Sequence, residues 1–180
     1  MTVEQFIKKN AELLDADNGI YRLYSIPDKG IVGVTPAMIT QCLLEYGLNP
    51  LEWMDTIPQG YAQGGTAGSA HLVIPANIKS VGVAAFSKSD VQIIEFEEGC
   101  ENIRSLAFSA MKNLDVIKFP RSLKSIETLI LSNSDPESIE YAGTIAEWKQ
   151  ITKRRNWAML DRSDELVIEC IDGDYCPDDE

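Results

Sequence analysis

The sequence predicts an α+β chain: a short solenoid of parallel strands, with a small α+β domain before it and a hairpin cap behind. Three observations carry this. From Leu72 onward apolar residues recur every 22 or 23 positions, the triplet opening each recurrence alternates as a one-sided strand does, and residues 1–66 do not share the period.

In chain order, Thr2 and Gln5 have capping-box spacing ahead of Phe6, Ile7, Leu13 and Leu14, which predicts a first helix ending near Asp17-Asn18-Gly19. Ile20–Ile26 and Gly30–Val34 read as a hairpin around Pro27-Asp28-Lys29-Gly30. Thr35-Pro36 starts a helix with Met38, Ile39, Cys42, Leu43 and Leu44 apolar, and Asn49-Pro50 starts a short second one. Residues 1–66 thus form the amino-terminal domain, and the glycine-rich Gln59–Ser69 links it to the repeats at about residue 70.

The repeats occupy 70–136. Ile74, Phe96, Phe119 and Tyr141 recur at steps of 22, 23 and 22 residues, and Ile78, Cys100 and Leu123 follow the first three by four. Val81, Ile103 and Ile126 form another column, and Phe86, Phe108 and Leu131 a third. A unit of this size with one short strand cannot bury its own apolar side, so copies must stack. Leu72, Ile94, Ile117 and Ile139 point inward, while Val73, Glu95, Lys118 and Glu140 point outward. Asn77, Ser80, Ser105, Ser122 and Ser125 are assigned to turns, and the cap and acidic tail take 137–180.

These residues resemble the BspA-type, or Treponema-type, leucine-rich repeats over about 70–176. The family pattern of an Ile-Pro strand end, an Ile-Gly pair and an Ala-Phe reads here as Ile74-Pro75, Val81-Gly82 and Ala85-Phe86, then Ala107-Phe108, then Phe119-Pro120 and Ser125-Ile126. Tyr141-Ala142-Gly143-Thr144 through Trp148 is similar to the element that closes such arrays, and Val167–Asp174 to the hairpin after it. The cysteine usual after Ala-Phe-Ser is replaced by Ser89 and Met111, and Ile130-Leu131 stands for the third Ala-Phe, so distortion is expected where that unit meets the cap.

Composition narrows function. A net charge of −12 and a pI near 4.5 disfavour direct binding of nucleic acid or anionic lipid, and no apolar run suits a membrane span or a signal peptide. His71 is the single histidine, which handicaps any triad or multi-histidine metal site. Its pairing with Cys42 or Cys100 as base and nucleophile is disfavoured, because Cys100 sits in an inward column and His71 outward. The stretch Gly64–Ser69 lacks the Lys-Ser/Thr pair of a phosphate loop, and Asp172, Asp174, Asp178, Asp179 and Glu180 lack EF-hand spacing. The cysteines read as reduced thiols, with a Cys170–Cys176 disulfide open in an oxidising setting. Lys149, Lys153, Arg154 and Arg155, the one basic run, complement a helix C-terminus.

The outward strand rows remain. One holds Val73, Glu95, Lys118 and Glu140, the other His71, Ile93, Val116 and Ser138. If the sheet meets solvent, Ile93 and Val116 make an exposed apolar strip, a mark of an interaction surface; the competing reading is that the amino-terminal domain or a neighbouring chain covers them. The expectation is a non-enzymatic protein-interaction module or structural component without metal or cofactor, binding a protein partner through Val73, Ile93, Glu95, Val116, Lys118 and Glu140, with self-association open. The resemblance, together with the lack of a signal peptide, implies a cytoplasmic or virion-associated protein, such as a bacteriophage encodes. The alternative is an acidic inhibitor that competes with nucleic acid for its binding protein.

Overall fold

The structure, a computed structural model, describes Tyr24 and residues 35–45, 47–65, 67–160 and 166–177. The expected first helix, the expected hairpin apart from Tyr24, and the last three acids lie outside these. Within the expected hairpin, Tyr24 has helical rather than strand backbone; its ring is buried and its hydroxyl pairs with Thr40 Oγ1 at 2.6 Å.

That helix, α1 (Pro36–Glu45), buries Ile39, Thr40, Cys42 and Leu43. A 3-10 helix over Pro50–Trp53 follows, with Asn49 Oδ1 accepting from the Leu51 amide. Then the solenoid begins, earlier than the recurrences announce. Each coil contains two strands. The short ones are β1 (Thr56–Ile57), β3 (Ser80–Val81), β5 (Asn102–Ile103), β7 (Ser125–Ile126) and β9 (Thr152–Lys153), all parallel in one sheet. The long ones are β2 (His71–Ile74), β4 (Ile93–Phe96), β6 (Val116–Phe119) and β8 (Ser138–Tyr141), parallel in a second sheet. Ser80 and Ser125, assigned to turns, therefore open strands; two residues are too few to display a period.

The third side of each coil is a backbone ladder at left-handed corners. The amides of Gly60, Ala62 and Gly64 donate to the carbonyls of Val83, Ala85 and Ser87, and those of Ala84, Phe86 and Lys88 to Ser105, Ala107 and Ser109. Gln59–Gly65, expected as a linker, is thus a wall of the solenoid. Gly60 and Gly64 adopt φ of 65° and 70°, which glycine permits without a steric penalty, so their presence reflects corner geometry rather than flexibility. Ile130-Leu131 keeps the ladder toward the cap, since Leu129 and Ile130 donate to Asn156 and Trp157.

Inside, every predicted column is buried, from Ile74, Phe96, Phe119 and Tyr141 to Phe86, Phe108 and Leu131. Aromatic rings run the length of this core: Tyr24, Tyr61, Phe86, Phe108, Phe96, Phe119, Trp148 and Trp157 touch in succession at centroid distances of 5.6 to 6.2 Å. Burying one such side chain contributes roughly 1.5–3 kcal/mol, and here each contributes across a coil boundary.

At the far end α2 (Ile145–Gln150) closes the array. Thr144 caps it in a reciprocal box with Glu147, and Trp148 plugs the core. The hairpin β10 (Ile168–Cys170) and β11 (Gly173–Tyr175) follows, with β10 parallel to β8 and β11 antiparallel on the outside. Its register places Cys170 opposite Gly173 and Ile168 opposite Tyr175. Cys176 therefore lies three rungs from Cys170, roughly 10 Å along the strands, beyond the roughly 7 Å reach of a disulfide. Both cysteines are free thiols in this arrangement.

Candidate interaction face

The long-strand sheet brings all six predicted contact residues onto one surface. Parallel register aligns Val73 with Glu95, Glu95 with Lys118, and Lys118 with Glu140, one residue per coil. It also aligns His71, Ile93, Val116 and Ser138. Val73 is 43% exposed, while Ile93 and Val116 are half-buried, so the apolar strip is shallower than the sequence suggests.

The charged row resolves into specific pairs. Lys118 Nζ meets Glu140 Oε2 at 3.1 Å, whereas Glu95 pairs diagonally with His71 Nε2 at 3.2 Å. The Glu140 carboxylate, aided by the charges of Glu95 and Glu169, holds the Lys118 ammonium above its ordinary value. Sequence reasoning missed Glu169. It stands beside Glu140 on β10 and accepts from Ser138 Oγ at 2.8 Å. The strand-like alternation of Val167-Ile168-Glu169-Cys170 was the available signal, but which face Glu169 joins follows only from β10 pairing with β8. A shallow groove of about 350 Å³ crosses these strand ends, between Glu95, Lys118, Glu140 and Glu169, with Ile171, 67% exposed, at its rim.

The other candidates separate. His71 faces outward while Cys100 is buried in the core, where desolvation pushes its thiol up to about 12. Base and nucleophile thus lie on opposite sides of one wall. Asp172 Oδ1 accepts from the Ile145 amide and fastens the hairpin to α2. Lys153 Nζ donates to the carbonyls of Trp148 and Ile151 and lies over the Trp148 ring, and Lys149 lies over Tyr175. Among the described residues no three His, Cys, Asp or Glu side chains converge in a way that would hold a metal ion.

Charge is segregated along the chain. Residues 67–160 contain eleven Lys and Arg and eleven Asp and Glu, while the last twenty residues carry nine acids and one arginine. The array is neutral; the acidity belongs to what flanks it.

No curated protein and no solved structure matches the chain. The family model described as BspA type leucine-rich repeat region, in six copies, matches residues 60–152, and its start at Gly60 agrees with the coil built by Gln59–Gly65. With matched columns, stacked parallel strands and more than half its length inside that model, the chain belongs to the BspA-type leucine-rich repeat family.

Proposed function

We propose that the chain is a non-enzymatic protein-interaction module whose contact surface is the outward side of the long-strand sheet, with Val73, Ile93, Glu95, Val116, Lys118 and Glu140 as its centre. Repeats of this family serve in general as protein-interaction or structural modules, which supports the reading. The observation that carries it is the alignment of Ile93 with Val116 beside a row of ordered charges and a groove, on a sheet whose other side is fully buried. Apolar side chains flanked by ordered charges suit a contact with a water-excluded centre and a polar rim.

The test is the double variant Ile93→Asp, Val116→Asp. Capture of a protein from the native source is expected to fall to background while the circular dichroism spectrum and melting temperature of the purified variant stay close to the parent's. A folded variant that retains full capture would remove this face from the reading.

A further inference from the structure

The short-strand sheet carries a charge row of the opposite sequence. Register places Arg104 beside Glu127, and the ladder bond from the Arg154 amide to the Ile126 carbonyl adds Arg154, so one row reads plus, minus, plus. Backbone hydrogen bonds from the Lys79 amide to the Asp55 carbonyl, from Glu101 to Lys79 and from Lys124 to Glu101 join a second row, Asp55, Lys79, Glu101 and Lys124, which reads minus, plus, minus, plus. The long-strand row Glu95, Lys118, Glu140 reads minus, plus, minus. Every row advances one residue per coil, so all share the strand spacing of about 4.8 Å. Internal pairing uses Lys118–Glu140, Arg104–Glu127 and Lys124–Glu101. Counting Glu169, the long-strand row keeps an excess of two negative charges; the row of Arg104, Glu127 and Arg154 keeps one positive charge, and the row that Asp55 opens is neutral.

We infer that the occupant of the long-strand face is a second copy of this chain, seated through its short-strand face so that the rows meet out of phase. This rests on the reading of the long-strand sheet as the contact surface and names its partner. Matched pitch lets several opposite charges meet at once, which exposed single pairs, each worth little, do not achieve. The contact is heterologous: each copy offers one face of each kind, so association continues beyond a dimer. Residues 67–160 are neutral, so the repulsion that a net charge of −12 sets up between copies arises from the flanks.

The experiment is sedimentation velocity of the full chain over a wide concentration range, at about 50 mM and about 500 mM salt, where screening lengths differ severalfold. At low salt the weight-average mass is expected to rise with concentration beyond that of two chains, and at high salt to return to one chain. Glu95→Lys with Glu140→Lys, and separately Arg104→Glu with Arg154→Glu, should each weaken association by roughly tenfold or more; mixed, the two variants should associate again, because each supplies the face that complements the other. Glu95→Gln with Glu140→Gln repeats the test should the reversals fail to fold. A chain that stays monomeric at low salt throughout the range, or variants that associate like the parent, would overturn the second copy as occupant. If such a monomer still captures another protein and loses it with Ile93→Asp, Val116→Asp, the interaction reading stands without this inference.

Discussion

Ser89, Met111 and Ser134 occupy one inward column, three residues after Phe86, Phe108 and Leu131, and show how a single atom's partners decide its contribution. Ser134 Oγ donates to the Phe108 carbonyl at 2.7 Å and accepts from the Met111 amide at 2.9 Å. Ser89 is just as buried, but its Oγ has no partner among the described residues. A buried polar atom without a partner costs about 1–3 kcal/mol, whereas a satisfied one contributes about 1. One substitution should therefore act with opposite signs. Ser89→Ala is expected to stabilise by about 1 kcal/mol and Ser134→Ala to destabilise by about 1–2, read as shifts of the urea midpoint at constant slope. A lower midpoint for Ser89→Ala would show that its hydroxyl is satisfied after all.

Among the elements, the first short-strand pairing leaves no room for a side chain at one position. Ile57 in β1 aligns with Val81 in β3, and Gly82 follows with its amide on the Ile57 carbonyl at 2.8 Å. A Cβ on Gly82 would lie 2.5 Å from the Ile57 oxygen and 2.7 Å from the Gln59 nitrogen. Arg104 and Glu127 fill the same position in later coils, so the demand for glycine belongs to the approach of 57–59 and not to the repeat as such. Gly82→Ala should cost about 1–3 kcal/mol, as overpacking does, with the loss concentrated in the first coil. Hydrogen exchange should accelerate at the amides of Gly60, Ala62 and Gly64 well before those of Leu106, Phe108 and Ala110; uniform acceleration would contradict a local approach. The corners show the converse: Ala84, Lys88, Leu106, Ala110, Leu129 and Asn133 hold φ between 51° and 61° without glycine, because the ladder and the core over-determine them.

For the molecule as a whole, the stacked core is where titration meets stability. Burial, the larger cause in each case, raises the Cys100 thiol from its ordinary 9.0 to about 12 and lifts the Tyr24 and Tyr61 phenols well above their ordinary 10.0. A group raised in the folded state contributes stability that is complete below its unfolded value and is lost as pH climbs toward its folded value. Stability should therefore fall as pH rises from about 9 to about 12, first through Cys100 and then through the tyrosines. Lys153 acts in the opposite sense: desolvation lowers its ammonium from 10.5 to about 8, a gain as pH rises from about 8 to 10.5, while its carbonyl partners and the Trp148 ring favour the charged form and limit the gain. Urea melts across this range should show a net fall, and Cys100→Ala should flatten its lower part; an equal slope in that variant would assign the fall elsewhere. Because coils share their core with neighbours, the fall should appear as one transition from Tyr61 to Trp148.

The sequence by itself determined the solenoid, its inward columns, the start of α1 at Thr35-Pro36, and the rows of the long-strand face. Each of these is written as residue type at a regular spacing, since burying an apolar column once per coil requires it. Tertiary structure alone decided the second sheet, the coil hidden in Gln59–Gly65, the pairing of Glu95 with His71, the arrival of Glu169 beside Glu140, and the separation of Cys170 from Cys176. These depend on which backbone groups meet between coils some two dozen residues apart. Strands of two residues carry no period, left-handed corners accept many residue types once neighbouring coils hold them, and register sets every cross-strand partner.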